Sequence, residues 1–128
     1  MKRIALFTIA AMGALAAAGA AQAQDMETQM TEGAELYADN CVVCHGANGE
    51  GGIGFRLDGN PVLQSAGGVA GMIITGYLEH GMPPFGDELT NEEIAAITTF
   101  VRNSWSNAYG GPTDPAMVES LRATVGGE

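Results

Sequence analysis

Cys41-Val42-Val43-Cys44-His45 sets two thiols and an imidazole within five consecutive residues. Two intervening residues let one helical turn lay both sulfurs along one edge of a flat ligand, with the next side chain swinging beneath its centre. C-x-x-C-H is the signature of a haem held through thioethers, each thiol adding across a vinyl group. On this reading Cys41 and Cys44 carry one haem c and His45 is its proximal iron ligand. A thioredoxin-like redox pair would need a βαβ context that the sequence lacks, and a zinc site would need two further ligands. A lone structural disulfide is the remaining alternative.

The sixth iron ligand must come from elsewhere in the chain. In His80-Gly81-Met82-Pro83-Pro84-Phe85-Gly86 the two prolines impose an extended or turning path, which holds a thioether without a stiff helix. Met82, 37 residues after His45, is the first candidate. His80 is its rival, since a second imidazole would give a bis-histidine iron of lower potential, and an open position is the third option. Met26 and Met30 fall in a polar stretch, while Met72 and Met117 lie on apolar helix faces and read as core filler. Arg56 has two readings, a charge-assisted partner of a buried haem propionate or a solvated loop arginine.

The elements that must position these groups read as helices and loops, with no strand-length alternating run. Thr31 is a plain N-cap for a short helix through Ala34, Leu36, Tyr37 and Ala38 that ends near Asn40. From Gly46 to Gly68 the chain is glycine-rich and reads as loop with one helical turn, a length that needs something to pack on. A large flat apolar cofactor would serve. Val69 to Leu78 predicts a second helix weakened by Gly71 and Gly76. Thr90 and Glu93 form a capping box before Ile94, Ala95, Ile97, Phe100 and Val101, one apolar helix face running to about Trp105. Gly110-Gly111-Pro112 breaks the chain, and Pro115 opens a last short helix that turns Met117, Val118 and Leu121 inward.

A chain of 128 residues suffices for one compact domain. Lys2 and Arg3, the apolar stretch Ile4 to Ala18 and the close Ala21-Gln22-Ala23 form the pattern of a secretory signal, with cleavage expected after Ala23. The stretch is alanine-rich and short of the roughly 20 strongly apolar residues of a span, so no membrane span is expected once 1–23 are removed. Residues 24–30 then form a flexible lead-in and 31–128 the domain, with a C-terminal extension from about 110, in the periplasm or secreted. Cleavage takes the formal net charge from −10 to −12, leaving Arg56, Arg102 and Arg122 against 15 acids. Such a field repels phosphate backbones and anionic headgroups, which excludes nucleic-acid and membrane-surface partners. A protein partner with a basic docking patch is compatible, and so is acidity that serves solubility alone.

The order and spacing of these segments resemble a class I cytochrome c over roughly Thr31 to Trp105. The resemblance implies an all-α fold of three to five short helices wrapped around one covalently bound haem. Gly33 to Tyr37 is similar to the family's N-terminal helix, Cys41 to His45 to its attachment motif, Met82 with Pro83 and Pro84 to its distal ligand, and Glu92 to Trp105 to its C-terminal helix. The two helices cross closely in that family, which here would bring Gly33 or Tyr37 against Ile97 and Phe100. Many relatives have Gly-x-Gly-Pro-x-Leu where this chain has Gly52-Ile53-Gly54-Phe55-Arg56-Leu57. Their proline carbonyl accepts the Nδ1 proton of the proximal histidine, and Phe55 stands in its place. The segment around Trp105 resembles the close of cytochrome subunits or domains that serve dehydrogenases and nitrite reductases.

An iron with His and Met ligands has no open position, so the expected function is one-electron transfer between redox proteins rather than catalysis. Two alternatives stand beside it. The chain is a tightly bound electron-transfer subunit of a dehydrogenase, with the tail from Gly110 as an interaction element. Or Met82 dissociates and the open iron acts as a peroxidase or ligand sensor, for which His80 is the sole candidate acid or base.

Overall fold

A computed structural model describes residues 10–125. Helix α1 spans Ala10–Asn40. The lead-in over 24–30 and the helix start at Thr31 both give way to continuous helix, and the reason is a stripe. Met26, Met30, Gly33 and Tyr37 recur at steps of four and three on one face, the first two half-buried and the last two buried. Gly33 hides this stripe from a hydrophobicity reading, because its tight contact is made without a side chain. Thr31 caps nothing; its Oγ1 donates to the Glu27 carbonyl one turn back, at 3.0 Å. Lys2 and Arg3 lie outside the described residues, and among those described no helix is long and apolar enough to cross a membrane.

Helix α2, Val42–His45, follows almost without interruption. Cys41 N–H donates to the Tyr37 carbonyl at 2.9 Å and His45 N–H to the Cys41 carbonyl at 2.9 Å. The end of α1 therefore aims the attachment motif directly. The glycine-rich stretch then runs as loop, with a 3-10 turn over Pro61–Gln64. Helix α3, Ala66–Thr75, starts on the hydroxyl of Ser65, which accepts from Gly68 N–H at 3.0 Å. A second 3-10 turn, Leu78–His80, leads into the Met82 loop.

Helix α4, Asn91–Asn103, opens on the expected capping box: Thr90 Oγ1 accepts from Glu93 N–H at 3.2 Å and Glu93 Oε2 from Thr90 N–H at 2.8 Å. Its buried face carries Ile94, Ile97 and Val101. Helix α5, Pro115–Val125, packs on α3 and α4 with Val118 fully buried and Met117 and Leu121 half-buried against the core. The architecture is the expected all-α one, but α1 is long. The tail beyond 110 spends its apolar face inside the fold.

Two polar nodes fasten that tail. Gln29 donates through Nε2 to the Thr113 carbonyl at 2.8 Å, while its Oε1 accepts from Thr99 Oγ1 at 2.6 Å and Thr113 N–H at 3.0 Å. Arg122 donates to Asn91 Oδ1 at 2.6 Å and to the carbonyls of Gly86 and Leu89. The first node ties α1 to α4, and the second ties α5 to the loop before α4.

Candidate haem site

Helices α1, α3 and α4 border an open cleft with a cavity of about 80 Å³, whose lining is almost wholly hydrocarbon and sulfur. Its lining comes from Tyr37 of α1, Ile97 and Val101 of α4, Val69, Met72 and Ile73 of α3, and Leu57 and Leu63 of the stretch between α2 and α3. Cys41, His45 and Met82 all reach this one cleft, although Met82 is distant from the other two in sequence. Cys44 is half-buried beside it, and both thiols are free. Met72 belongs to the lining and is 38 % exposed, so it is cleft wall rather than core filler. An apolar slot lined by the Cys41 thiol, an imidazole and a thioether, with the Cys44 thiol three residues from the first, suits a haem.

The proximal side is organised by one carbonyl. His45 Nδ1 lies 2.7 Å from the Phe55 carbonyl oxygen. A carbonyl only accepts, so Nδ1 carries the proton and Nε2 keeps its lone pair for a metal. The replacement of proline by Phe55 thus leaves the carbonyl where the imidazole needs it. Gly54 makes this approach feasible: a Cβ there would stand 2.9 Å from His45 Cε1 and 3.2 Å from Cys44 Cβ.

On the distal side Met82 is held by backbone. Tyr77 N–H donates to the Met82 carbonyl at 2.9 Å and Met82 N–H to the Tyr77 carbonyl at 3.2 Å, an isolated antiparallel bridge. Phe85 N–H returns the chain to the end of α3 through the Ile73 carbonyl at 2.9 Å. Gly76 closes this turn with φ +69°, and a Cβ on it would meet Pro84 N at 2.6 Å and the Met82 carbonyl at 2.7 Å. His80 is exposed and sits against the rings of Tyr77 and Phe55. It is absent from the cleft lining that contains Met82.

Arg56 is 66 % exposed and pairs with Asp58, Nη2 to Oδ2 at 2.8 Å, away from the cleft lining. This arrangement matches a solvated loop arginine. Asp58 accepts from the hydroxyl and backbone N–H of Ser106, which hold its carboxyl below the ordinary carboxylate range, with Arg56 adding to the effect. Those bonds are present at neutral pH and are lost as acidification protonates the carboxylate. Burial is the main cause that pushes the Cys41 thiol up to about 11, with Cys44 second.

Two supporting residues, Arg102 and Asn107, carry no signal in the sequence because they bond backbone, and Trp105 joins them by packing. Buried Arg102 donates to the carbonyls of Leu63 at 2.9 Å, Gln64 at 3.1 Å and Tyr109 at 2.6 Å. Buried Asn107 donates to the carbonyls of Leu57 at 3.1 Å and Val101 at 2.8 Å and accepts from Gly59 N–H at 2.8 Å. Trp105 adopts φ +57°, strained for a bulky side chain, and sets its ring edge-on to Tyr37 and Phe100 at centroid distances of 5.4 and 5.8 Å. Together they fix the glycine-rich loop to the end of α4. Asn107→Ala removes the partner of the buried Val101 carbonyl and of Gly59 N–H, while the Leu57 carbonyl keeps Asn60 N–H, and is expected to cost about 1–3 kcal/mol. A lowered guanidinium midpoint at unchanged slope is the measurement.

An all-α fold around a C-x-x-C-H motif, with imidazole and thioether in one apolar cleft, defines a c-type cytochrome. Residues 28–101 match the family described as cytochrome C oxidase, cbb3-type, subunit III, and the chain belongs to that family. Haem c, covalently bound, is its cofactor and electron transfer its work. The chain is similar to the cytochrome c subunit of alcohol dehydrogenase (quinone) from Gluconobacter oxydans, 29 % identical over 75 % of this chain and 23 % of that protein. It also resembles the gluconate 2-dehydrogenase cytochrome c subunit of Pantoea cypripedii, 28 % identical over 70 % of this chain and 24 % of the relative. A third likeness is to 1-butanol dehydrogenase (cytochrome c) of Thauera butanivorans, 32 % identical over 56 % of this chain and 11 % of the relative. The chain therefore spans about a quarter or less of the curated relatives it matches.

Proposed function

We propose that this protein is a one-electron carrier that passes electrons between periplasmic redox proteins, with residues 1–23 removed as a signal. Cys41 and Cys44 hold the haem, His45 is the proximal ligand and Met82 the distal one. The observation that carries the reading is the convergence of Cys41, His45 and Met82 on one apolar cleft. The bound group supplies a ferric/ferrous couple. The chain's own part is to keep that couple's surroundings constant: Phe55 fixes the imidazole, the Tyr77 bridge fixes the thioether, and the apolar walls exclude water. Thioether ligation and a dry cleft both favour a high potential and a small reorganisation on electron transfer.

The test is spectroscopic. Ferric protein is expected to have a methionine-to-iron charge-transfer band in the near infrared, and Met82→Ala to abolish it and produce a high-spin iron with a lower potential. A low-spin Met82→Ala protein would overturn the assignment and point to His80.

The donor we propose is a dehydrogenase, because relatives at 28–29 % identity are cytochrome c subunits of alcohol and gluconate dehydrogenases. A partner with a basic docking patch would be steered by the formal charge of −12 on the processed chain. Electron transfer is then expected to slow as ionic strength rises. The same likenesses favour a second reading, a subunit held tightly in such an enzyme. Co-purification with a dehydrogenase subunit at high salt would select it.

A further inference from the structure

Phe55 touches both sides of the haem cleft. Its carbonyl accepts from His45 Nδ1 at 2.7 Å, and its ring packs on the ring of His80 at a centroid distance of 5.2 Å. His80 packs in turn on Tyr77 at 4.3 Å, and Tyr77 is the residue bridged to Met82 through two backbone hydrogen bonds. The path His45, Phe55, His80, Tyr77, Met82 links the two ligand positions over the surface without passing through the core. Nothing in the folding of the core requires it: Phe55 is 59 % exposed and Tyr77 40 %. A proline at position 55 would supply the carbonyl alone and leave His80 without this ring.

We propose that the Phe55 ring is a positioning residue for the distal ligand, a clasp that holds the His80 turn and so keeps Met82 on the iron. The inference rests on Met82 as the distal ligand. His80 is then a structural member of the clasp, which accounts for an exposed imidazole two residues from the ligand that does not itself enter the cleft. Backbone bonds tie both ends of the Met82 loop to α3, Gly76 to Met72 at the near end and Phe85 to Ile73 and Gly86 to Ile74 at the far end, and leave the turn Leu78–His80 exposed between them. The clasp restrains that turn.

The experiment follows displacement of Met82 by exogenous imidazole in the ferric holoprotein, read as the rate of loss of the near-infrared band. Phe55→Leu keeps the carbonyl and bulk but removes the ring, and His80→Ala removes the partner. Each is expected to speed displacement about two- to tenfold, the range of one aromatic contact. The double variant should be no faster than the faster single, because one contact is lost once. Phe55→Tyr should restore the parent rate within about twofold. The exposure of both side chains keeps these variants folded, and an unchanged band before imidazole is added confirms the starting ligation.

Unchanged rates in both single variants, or effects that multiply in the double, would overturn the clasp while leaving Met82 as ligand. A parent protein without the band, or a His80→Ala protein that turns high-spin, would overturn the ligand assignment and the clasp with it.

Discussion

Gly33→Leu is expected to destabilise the holoprotein by about 3 kcal/mol or more, the upper end of overpacking costs. A Cβ at Gly33 would stand 2.3 Å from the Ala96 carbonyl oxygen and 2.6 Å from Phe100 Cβ. The obstruction on one side is helix backbone, which has no rotamer to yield, so α1 and α4 must move apart. Separation would also loosen Tyr37 from Phe100, whose rings lie 5.3 Å apart, and open the cleft that Tyr37 lines. Even Gly33→Ala should destabilise, against the roughly 1 kcal/mol that alanine gains over glycine inside a helix. Gly71 of α3 is the control: a Cβ there meets nothing within 4 Å, and Gly71→Ala should be neutral or stabilising. Thermal unfolding reads both, with a fall of roughly 10–20 °C for Gly33→Leu. An unchanged Gly33→Leu midpoint would sink the argument from helix crossing.

Removing the haem is expected to have a still larger effect. Tyr37, Leu63, Val69, Ile73, Ile97 and Val101 are at once buried core and cleft lining. The cavity within the cleft measures about 80 Å³, and keeping it as dry void would cost about 2 kcal/mol at the usual penalty per unit of cavity volume. Flooding it instead would wet the same side chains. Domains of this size have only about 5–15 kcal/mol to lose. The glycine-rich loop from 46 to 68 also loses the surface it packs on. Cys41→Ala,Cys44→Ala protein without haem should therefore lose most of its helical circular dichroism and its cooperative thermal transition. A fully folded haem-free chain would refute this.

The site was more legible than the frame. Cys41, Cys44 and His45 are adjacent in sequence, so their chemistry is written in a single turn, and the prolines after Met82 mark a rigid loop without reference to anything else. The capping box at Thr90 and Glu93 is equally local, and α4 starts there as expected. The course of α1 was not legible, because Met26, Met30, Gly33 and Tyr37 make a face only when glycine counts as a contact. Nor were Gln29, Arg102, Asn107 and Arg122, each of which bonds at least one backbone or side-chain partner 31 or more residues away. Backbone carbonyls are offered by every residue, so such bonds leave no compositional trace.

Phe55 shows the division most clearly. From the sequence it is a departure from a proline, with its carbonyl's position undetermined. Only the fold sets that carbonyl 2.7 Å from His45 Nδ1 and turns the ring toward His80. The sequence by itself pointed to haem c and singled out Cys41, Cys44 and His45 as the residues proposed to hold it, because that signal resides in residue type and spacing along one turn. The tertiary structure alone decided that Met82 shares a cleft with them, that Arg56 turns to Asp58 and that the tail belongs to the core. The first and last are meetings of segments distant in the chain, selected by packing rather than local preference; Arg56 and Asp58 are two residues apart, and the distant contribution there is Ser106, which holds the Asp58 carboxylate.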